Sequence, residues 1–368
     1  MNYFTHIAKV LTVTALGLAI ASPVRAQQSR EVIEPEAIEP EVIELEIIEP
    51  EAIEPEAIEP IIPNRIRDRI RDRSSTRTRR LFPALTLQFA ESQLQLHREV
   101  SPEEKASFLR VMENAIAGQW HDRPFGEIVQ LVAEQFIGTP YVGGLLDKSM
   151  TEKLTITLDA FDCVLFVETV LAIARGITIQ DYSYPAFANH LREQRYRNGQ
   201  LDDYCSRLHY FSDWIDDNQR RGIVRNITRN LGGATLPKKL DFITRNWRSY
   251  PQLASDANYE CMVERENFLN DELAFFYIPQ HQIHQVYDRL QPGDIIATAT
   301  DIKGLDVTHT GLVYRHSDGG IGFIHASPIG EVVIARDLQS YVEAVDGQIG
   351  IILARPSGLS SRTRFGQR

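Results

Sequence analysis

From residue 101 onward the chain falls into two stretches with different hydrophobic periods. The first is helical. Ser101-Pro102-Glu103-Glu104 reads as a helix start, with Ser as N-cap, Pro at the first helical position and Glu three residues after the cap. Apolar residues at Ala106, Leu109, Met112 and Ile116 continue a helical stripe as far as Gly118. A second helix is predicted over residues 125–137, stopped by Gly138-Thr139-Pro140. The alternation Leu154-Thr155-Ile156-Thr157-Leu158 predicts a short strand. A strongly apolar helix is predicted from about Cys163 to Ala174, ending at Gly176. Residues 177–290 are mixed and mostly helical in pattern, with abundant Tyr, Trp, Asn and Arg. Beyond Gly293 the period changes: residues 294–300, 310–315, 321–326, 331–335 and 349–354 are short, apolar and β-branched, separated by Gly, Asp or Ser. Helices followed by a run of strands predict an α+β fold with an antiparallel sheet.

The N-terminal quarter has a different character. Residues 1–26 read as a secretory signal: Lys9 in a short polar start, an apolar run from Val10 to Ala21, and Val24-Arg25-Ala26 as an A-x-A-like cleavage site. That run is too short for a bilayer span, and no later stretch approaches about 20 apolar residues. The expectation is an exported chain, periplasmic or associated with the cell envelope, without a transmembrane segment once processed. No lipid-accepting Cys follows the signal.

Residues 31–60 are six five-residue repeats, EVIEP, EAIEP, EVIEL, EIIEP, EAIEP and EAIEP. Recurrent Pro breaks helices and Glu repulsion favours extension, so residues 27–80 are expected to form a disordered spacer. The repeat alone could reach about 90 Å at roughly 3.1 Å per residue. The net charge of −11 is therefore blocked, not blended: twelve Glu lie in residues 31–60 and eight Arg in residues 65–80. Overall acidity argues against a nucleic-acid partner, and the Arg-rich stretch offers either an envelope contact or a solvated linker. The folded region is expected over residues 81–356, with a loose tail at 357–368.

Three cysteines, Cys163, Cys205 and Cys261, leave one over if two pair. Spacing does not fix connectivity; if a bridge forms, Cys205–Cys261 is the expected pair, leaving Cys163 free. Cys163 follows Phe161-Asp162 at the predicted start of a helix, where unpaired N–H groups and the helix dipole are expected to lower a thiol pKa. Asp162 is a plausible cap for the same end. A buried structural Cys on an apolar helix is the plainer alternative.

A nucleophilic Cys needs a base, and the base needs an orienting group. Thr308-His309-Thr310-Gly311-Leu312-Val313-Tyr314 and Phe323-Ile324-His325-Ala326-Ser327 flank Ser317-Asp318-Gly319-Gly320, a natural hairpin turn. His309 and His325 then lie close across the ladder, where one imidazole can act as base while the other fixes its tautomer. His316, at the turn, is assigned no chemical role.

These segments resemble the ordered motifs of the NlpC/p60 superfamily of cell-wall cysteine peptidases: Gly138-Thr139-Pro140-Tyr141-Val142-Gly143-Gly144, Phe161-Asp162-Cys163, Pro292-Gly293-Asp294, and the two His segments. Residues 144–168, Leu208-His209-Tyr210-Phe211-Ser212-Asp213-Trp214, Leu231-Gly232-Gly233 and residues 294–311 resemble its N-acetylmuramoyl-L-alanine amidase-like branch, over roughly residues 100–356. The resemblance implies a papain-like core with Cys163 on a helix packed against an antiparallel sheet, and a large, mostly helical insertion at about 177–290 that shapes the cleft. It implies Cys163 as nucleophile, His309 as base and then acid, and His325 as orienting member. Tyr141 matches the tyrosine near the oxyanion, its alternative being a loop aromatic that caps the core. Asp306 is a candidate ligand contact or a loop cap. No cofactor or metal is implied.

The substrate implied is peptidoglycan or a muropeptide, cut between N-acetylmuramic acid and L-alanine; the residues alone support amide hydrolysis without choosing the bond. Three alternatives stand beside it. One is a stem endopeptidase cutting between D-glutamate and the diamino acid, and another is a non-catalytic wall-binding module. The third is a metal hydrolase built on His281 and His284 with His309 and His325.

Overall fold

The computed structural model describes residues 101–358. The expected signal, the Glu/Pro repeat, the Arg-rich linker, residues 81–100 and the tail beyond 358 lie outside the described residues. Among the described residues no helix is long and apolar enough to cross a membrane.

Helix α1 (Pro102–Ala117) starts as predicted, with Ser101 Oγ accepting the Glu104 N–H at 3.0 Å and Gly118 following the last turn. Its buried face is Phe108, Val111, Met112 and Ala115, so the predicted stripe was out of phase and shared only Met112. The aromatic Phe108 sets the face instead, packing on Tyr184 and Phe187. Helix α2 (Phe125–Glu134) is shorter than its predicted span.

Residues 154–158 do not form the predicted strand. Their alternation reflects an extended segment whose carbonyls are met by side chains, not by a ladder: the Arg195 guanidinium reaches Thr155 O. Beside it, Tyr196 Oη donates to Lys153 O at 3.0 Å.

Helix α3 (Cys163–Thr178) runs past the predicted stop, and every residue from Leu165 to Ile177 is buried. A helix apolar on all sides belongs at the centre of a domain. Each Leu, Val or Ile so buried contributes about 1.5–3 kcal/mol relative to exposure. The intervening region supplies α4 (Tyr184–Arg195), α5 (Phe211–Arg220), α6 (Phe242–Arg245) and α7 (Asp256–Glu272). It also supplies three short strands that the helical reading missed: β1 (Val224–Asn226), β2 (Ala234–Thr235) and β3 (Phe276–Pro279). These are too short for a period of two to register.

The five predicted strands appear as β4 (Ile295–Thr300), β5 (Val307–Arg315), β6 (Ile321–Ala326), β7 (Val332–Ala335) and β8 (Gln348–Pro356), with α8 (Leu338–Ala344) before the last. The sheet order is β2-β3-β8-β4-β5-β6-β7, with β1 also on β8, and all these pairings are antiparallel. The observed class is thus mixed helix and antiparallel sheet, as expected. One sheet face, with Ile295, Ala297, Leu312 and Ile324, joins the core built around α3. The other, with Ile296, Val313, Phe323 and Leu353, is covered by Ile283 and Val286 of a 3-10 segment (Gln280–Arg289) and by Leu338 and Val342 of α8. Cys205 and Cys261 form a disulfide with Cα atoms 6.4 Å apart, and Cys163 is free.

Candidate active site

Cys163 is the first residue of α3. Asp162 caps that helix, its Oδ1 accepting the Leu165 N–H at 2.7 Å. Thr310 of β5 donates its hydroxyl to Cys163 O at 3.0 Å, which pins the helix start to the sheet. The thiol also faces hydrogen-bond donors on Thr310 and Val164. The expected lowering of its pKa is nevertheless reversed. Burial pushes the thiol up to about 11, and the Asp162 charge beside it adds to the shift. The helix-end amides do not prevail because burial outweighs them. Asp162 is itself pushed up to about 6 by burial, against the pull of the Leu165 and Val164 amides.

His309 and His325 meet on the opposite sheet face, across β5 and β6. His309 Nε2 lies 2.8 Å from His325 Nδ1, and the rings are nearly perpendicular at 87°. Gly311 makes this possible: a Cβ there would stand 2.5 Å from Cε2 of Phe323 and 2.8 Å from Cβ of His325. The Phe323 ring stacks on His325 at 4.6 Å and 11°. Tyr341 of α8 packs against both imidazoles, with centroids 4.7 Å from His325 and 6.2 Å from His309. Burial lowers His309 to about 4; burial and then the neighbouring His309 lower His325 to about 3. Both rings are neutral near pH 7, and the thiol is protonated.

Cys163, His309 and Thr310 line a cleft of about 250 Å³ whose lining also includes Tyr204, Arg207 and Tyr250 from the inserted region. His325 is not part of that lining and stands behind His309. Tyr141 sits on a loop bridged to Phe161, its N–H donating to Gly330 O at 2.7 Å. Its hydroxyl is pushed up to about 12 by burial, then by charge at Cys163 and Asp162, so it is a neutral donor close to the thiol. Asp306 lines the cleft but is committed to structure: it accepts the Ser212 N–H in the first turn of α5 and its neighbour Val307 N–H, each at 2.8 Å. It thereby ties the loop before β5 to the first turn of α5.

His316 bonds Arg336 O through Nε2 at 3.1 Å, a structural role. His281 and His284 lie on the 3-10 segment and do not line the cleft. Among the described residues no group of three or more His, Cys, Asp or Glu is placed to hold a metal ion.

Sequence reading missed Tyr341, Arg195 and Arg207. Glu168 carried a signal for one of them, since a carboxylate within an apolar helix needs a partner. That partner is Arg195, whose Nε lies 2.7 Å from Glu168 Oε2, while Trp214 Nε1 donates to the other oxygen at 3.1 Å.

Residues 131–351 match the family described as AmiA-like, N-acetylmuramoyl-L-alanine amidase-like. The chain belongs to this family. Tyr141, Asp162, Cys163, Asp306, His309 and His325 all fall inside the matched span. A Bacteroides uniformis structure described as an N-acetylmuramoyl-L-alanine amidase is 30% identical, with TM-score 0.60, covering 63% of this chain and 99% of that one. A Bacteroides fragilis structure named a candidate xylanase is 32% identical, with TM-score 0.54, covering 61% and 99%. A Legionella pneumophila protein, 21% identical with TM-score 0.50, covers 69% and 95% and speaks to the fold alone. Among curated proteins none matches. Family membership makes an amidase acting on peptidoglycan the general activity class, reached through the family rather than through any single relative.

Proposed function

We propose that this amidase-like chain is a cysteine-dependent hydrolase of the NlpC/p60 type with a papain-like core, and that it cleaves the amide between N-acetylmuramic acid and L-alanine. The observation that carries this reading is the 2.8 Å His309–His325 pair, whose first member lines the same cleft as Cys163. Because His309 Nε2 is engaged by His325, Nδ1 is the ring atom left for the thiol.

The resting pair is a neutral thiol and a neutral imidazole, so proton transfer accompanies attack. Cys163 Sγ bonds to the lactyl carbonyl carbon as its proton passes to His309 Nδ1. His325 accepts the His309 Nε2–H and stabilises the imidazolium that forms. The Cys163 N–H and the Tyr141 hydroxyl bond the developing oxyanion. His309 then gives its proton to the alanine nitrogen as the C–N bond breaks, leaving a thioester. Water, losing a proton to His309, attacks the thioester, and the muramoyl carboxylic acid and the thiol are regenerated. Asp162 holds the helix end and Asp306 holds the inserted wall; neither takes a chemical step. Export by the signal at residues 1–26, and an envelope contact through the Arg-rich linker, are consistent with a wall substrate and belong to the same proposal.

The test is mass spectrometry of a defined muropeptide after digestion by the purified protein, beside Cys163→Ala. Disaccharide and a peptide beginning with L-Ala, absent with the variant, support the reading. A cut inside the stem moves the enzyme to the endopeptidase class, and cleavage of the sugar chain would favour a glycosidase. No thiol-dependent cleavage of any muropeptide overturns it in favour of a wall-binding module.

A further inference from the structure

The part of the cleft lining that comes from the inserted region carries a buried hydroxyl with no hydrogen-bond partner, beside an arginine whose two counter-ions differ in exposure. Tyr204 is 3% exposed and its hydroxyl has no hydrogen-bond partner. Arg207 is 6% exposed, its Nε lies 3.3 Å from Glu152 Oε2, and its guanidinium lies 5.2 Å from the centroid of the Tyr204 ring. Both line the cleft that holds Cys163 and His309. Folded proteins keep few such groups, because an unmet buried donor forfeits its hydration. Adjacent donors on one cleft wall, one of them cationic, fit an oxygen-rich anion.

The counter-ions of Arg207 differ in kind. Glu152 is 4% exposed at the side chain and accepts the Tyr196 hydroxyl at 2.8 Å, so it is fixed. Asp147 is 43% exposed at the side chain and reaches Arg207 Nη2 at 2.7 Å from a turn-rich loop. Of the two carboxylates it is the one that solvent reaches. Arg195, the other cation of the cleft, is matched by the buried Glu168.

We propose that Tyr204 and Arg207 form a subsite for a carboxylate of the substrate, carried on the peptide beyond the scissile amide, and that Asp147 holds its place until substrate arrives. The inference rests on the amidase reading, and the chemistry of a muramoyl peptide decides which part docks. The sugar is neutral and the lactyl carboxyl is consumed in the amide, so the charged oxygens lie on the peptide. A carboxamide there would lose the charge and turn N–H donors toward donors.

Binding is measured apart from cleavage, by titration calorimetry of the Cys163→Ala protein. The ligands are N-acetylmuramoyl-L-alanyl-D-glutamate and its α- and γ-carboxamides. One carboxamide is expected to bind about tenfold or more weakly than the diacid, as loss of a charged hydrogen bond dictates. Arg207→Gln or Tyr204→Phe in the same background is expected to shrink that ratio toward one. Asp147→Asn is expected to tighten the diacid by removing its competitor, while the discriminated carboxamide is little affected. Because Asp147→Asn and Tyr204→Phe are the milder changes, they keep the test sound if Arg207→Gln fails to fold. Equal binding of all three ligands, no binding of the diacid, or weaker diacid binding by Asp147→Asn each overturns the subsite. The amidase reading stands or falls separately, on cleavage of the diacid by the wild-type protein.

Discussion

Thr310 Oγ1 donates to the carbonyl oxygen of Cys163 at 3.0 Å, joining the first residue of α3 to the residue that follows His309 in β5. Helix and strand are 147 positions apart in sequence at this point, and one hydroxyl helps set the separation of thiol and imidazole. Thr310→Val keeps the shape and removes the donor. The expected loss is about 1 kcal/mol of stability. A fall in kcat of about tenfold is expected with KM little changed, since small misplacements of reacting groups are costly. Urea unfolding and steady-state kinetics on one muropeptide check both; unchanged kcat would limit the contact to a structural role.

The neutral state of the thiol and both imidazoles gives a pH signature. With Cys163 pushed up to about 11, alkylation by iodoacetamide is expected to rise steadily from pH 6 to pH 9. A preformed thiolate–imidazolium pair would give a flat profile instead. Stability has its own sign. His309 and His325 titrate near 6.5 in the unfolded chain but at about 4 and about 3 when folded. Between these values the unfolded chain binds more protons, so their contribution is complete above pH 6.5 and is lost as pH falls toward 4 and below. Asp162, raised from 3.8 to about 6, acts oppositely, favouring the fold below 3.8 and losing that contribution as pH rises through 6. The pair's own contribution is read as the difference in thermal midpoint between the wild type and the His309→Gln/His325→Gln double variant, which is expected to widen from pH 4.5 to pH 6.5. A difference that narrows over that range would contradict the buried neutral pair.

Much of this site could be read in the sequence because its parts are local. The Cys163 helix start, the Asp162 cap and the Asp-Gly turn that sets His309 against His325 each occupy a few consecutive residues. What was illegible depends on long-range contact. Tyr341 lies 16 residues after His325, on a helix with no distinctive pattern, and only the folded sheet brings it to the rings. The thiol pKa was misjudged because sequence reveals the helix end but not the burial that outweighs it. Strands β1 and β3 were missed because their pairing with β8 needs that long strand as a template. The α1 stripe went wrong because the position of its face is fixed by Phe108 packing against α4.

His325→Gln tests the orienting role. The amide retains an acceptor near His309 but cannot place it where Nδ1 stands, and it stabilises an imidazolium less well. A drop in kcat of about 10² to 10⁴ is expected with KM nearly held, the range that positioned acid–base groups contribute. His309→Gln should cost at least as much, and the double variant little more than either alone, because the pair acts as a unit. Additive losses would argue that the two rings work independently.

Glu168→Gln tests the buried charge in the cleft lining. Glu168 and Arg195 are both 1% exposed, and the carboxylate also accepts the Trp214 N–H, so the pair ties α3 to α4 and α5. Removing the negative charge leaves a guanidinium buried beside a neutral amide, which typically costs about 3–5 kcal/mol. The carboxylate does not touch the reacting atoms, so kcat at a temperature where the variant is folded is expected to fall far less than with His325→Gln. Denaturant midpoints and kinetics on the same preparation separate the two effects. A variant as stable as the wild type would mean that solvent reaches Arg195 and that the pair contributes little to the fold.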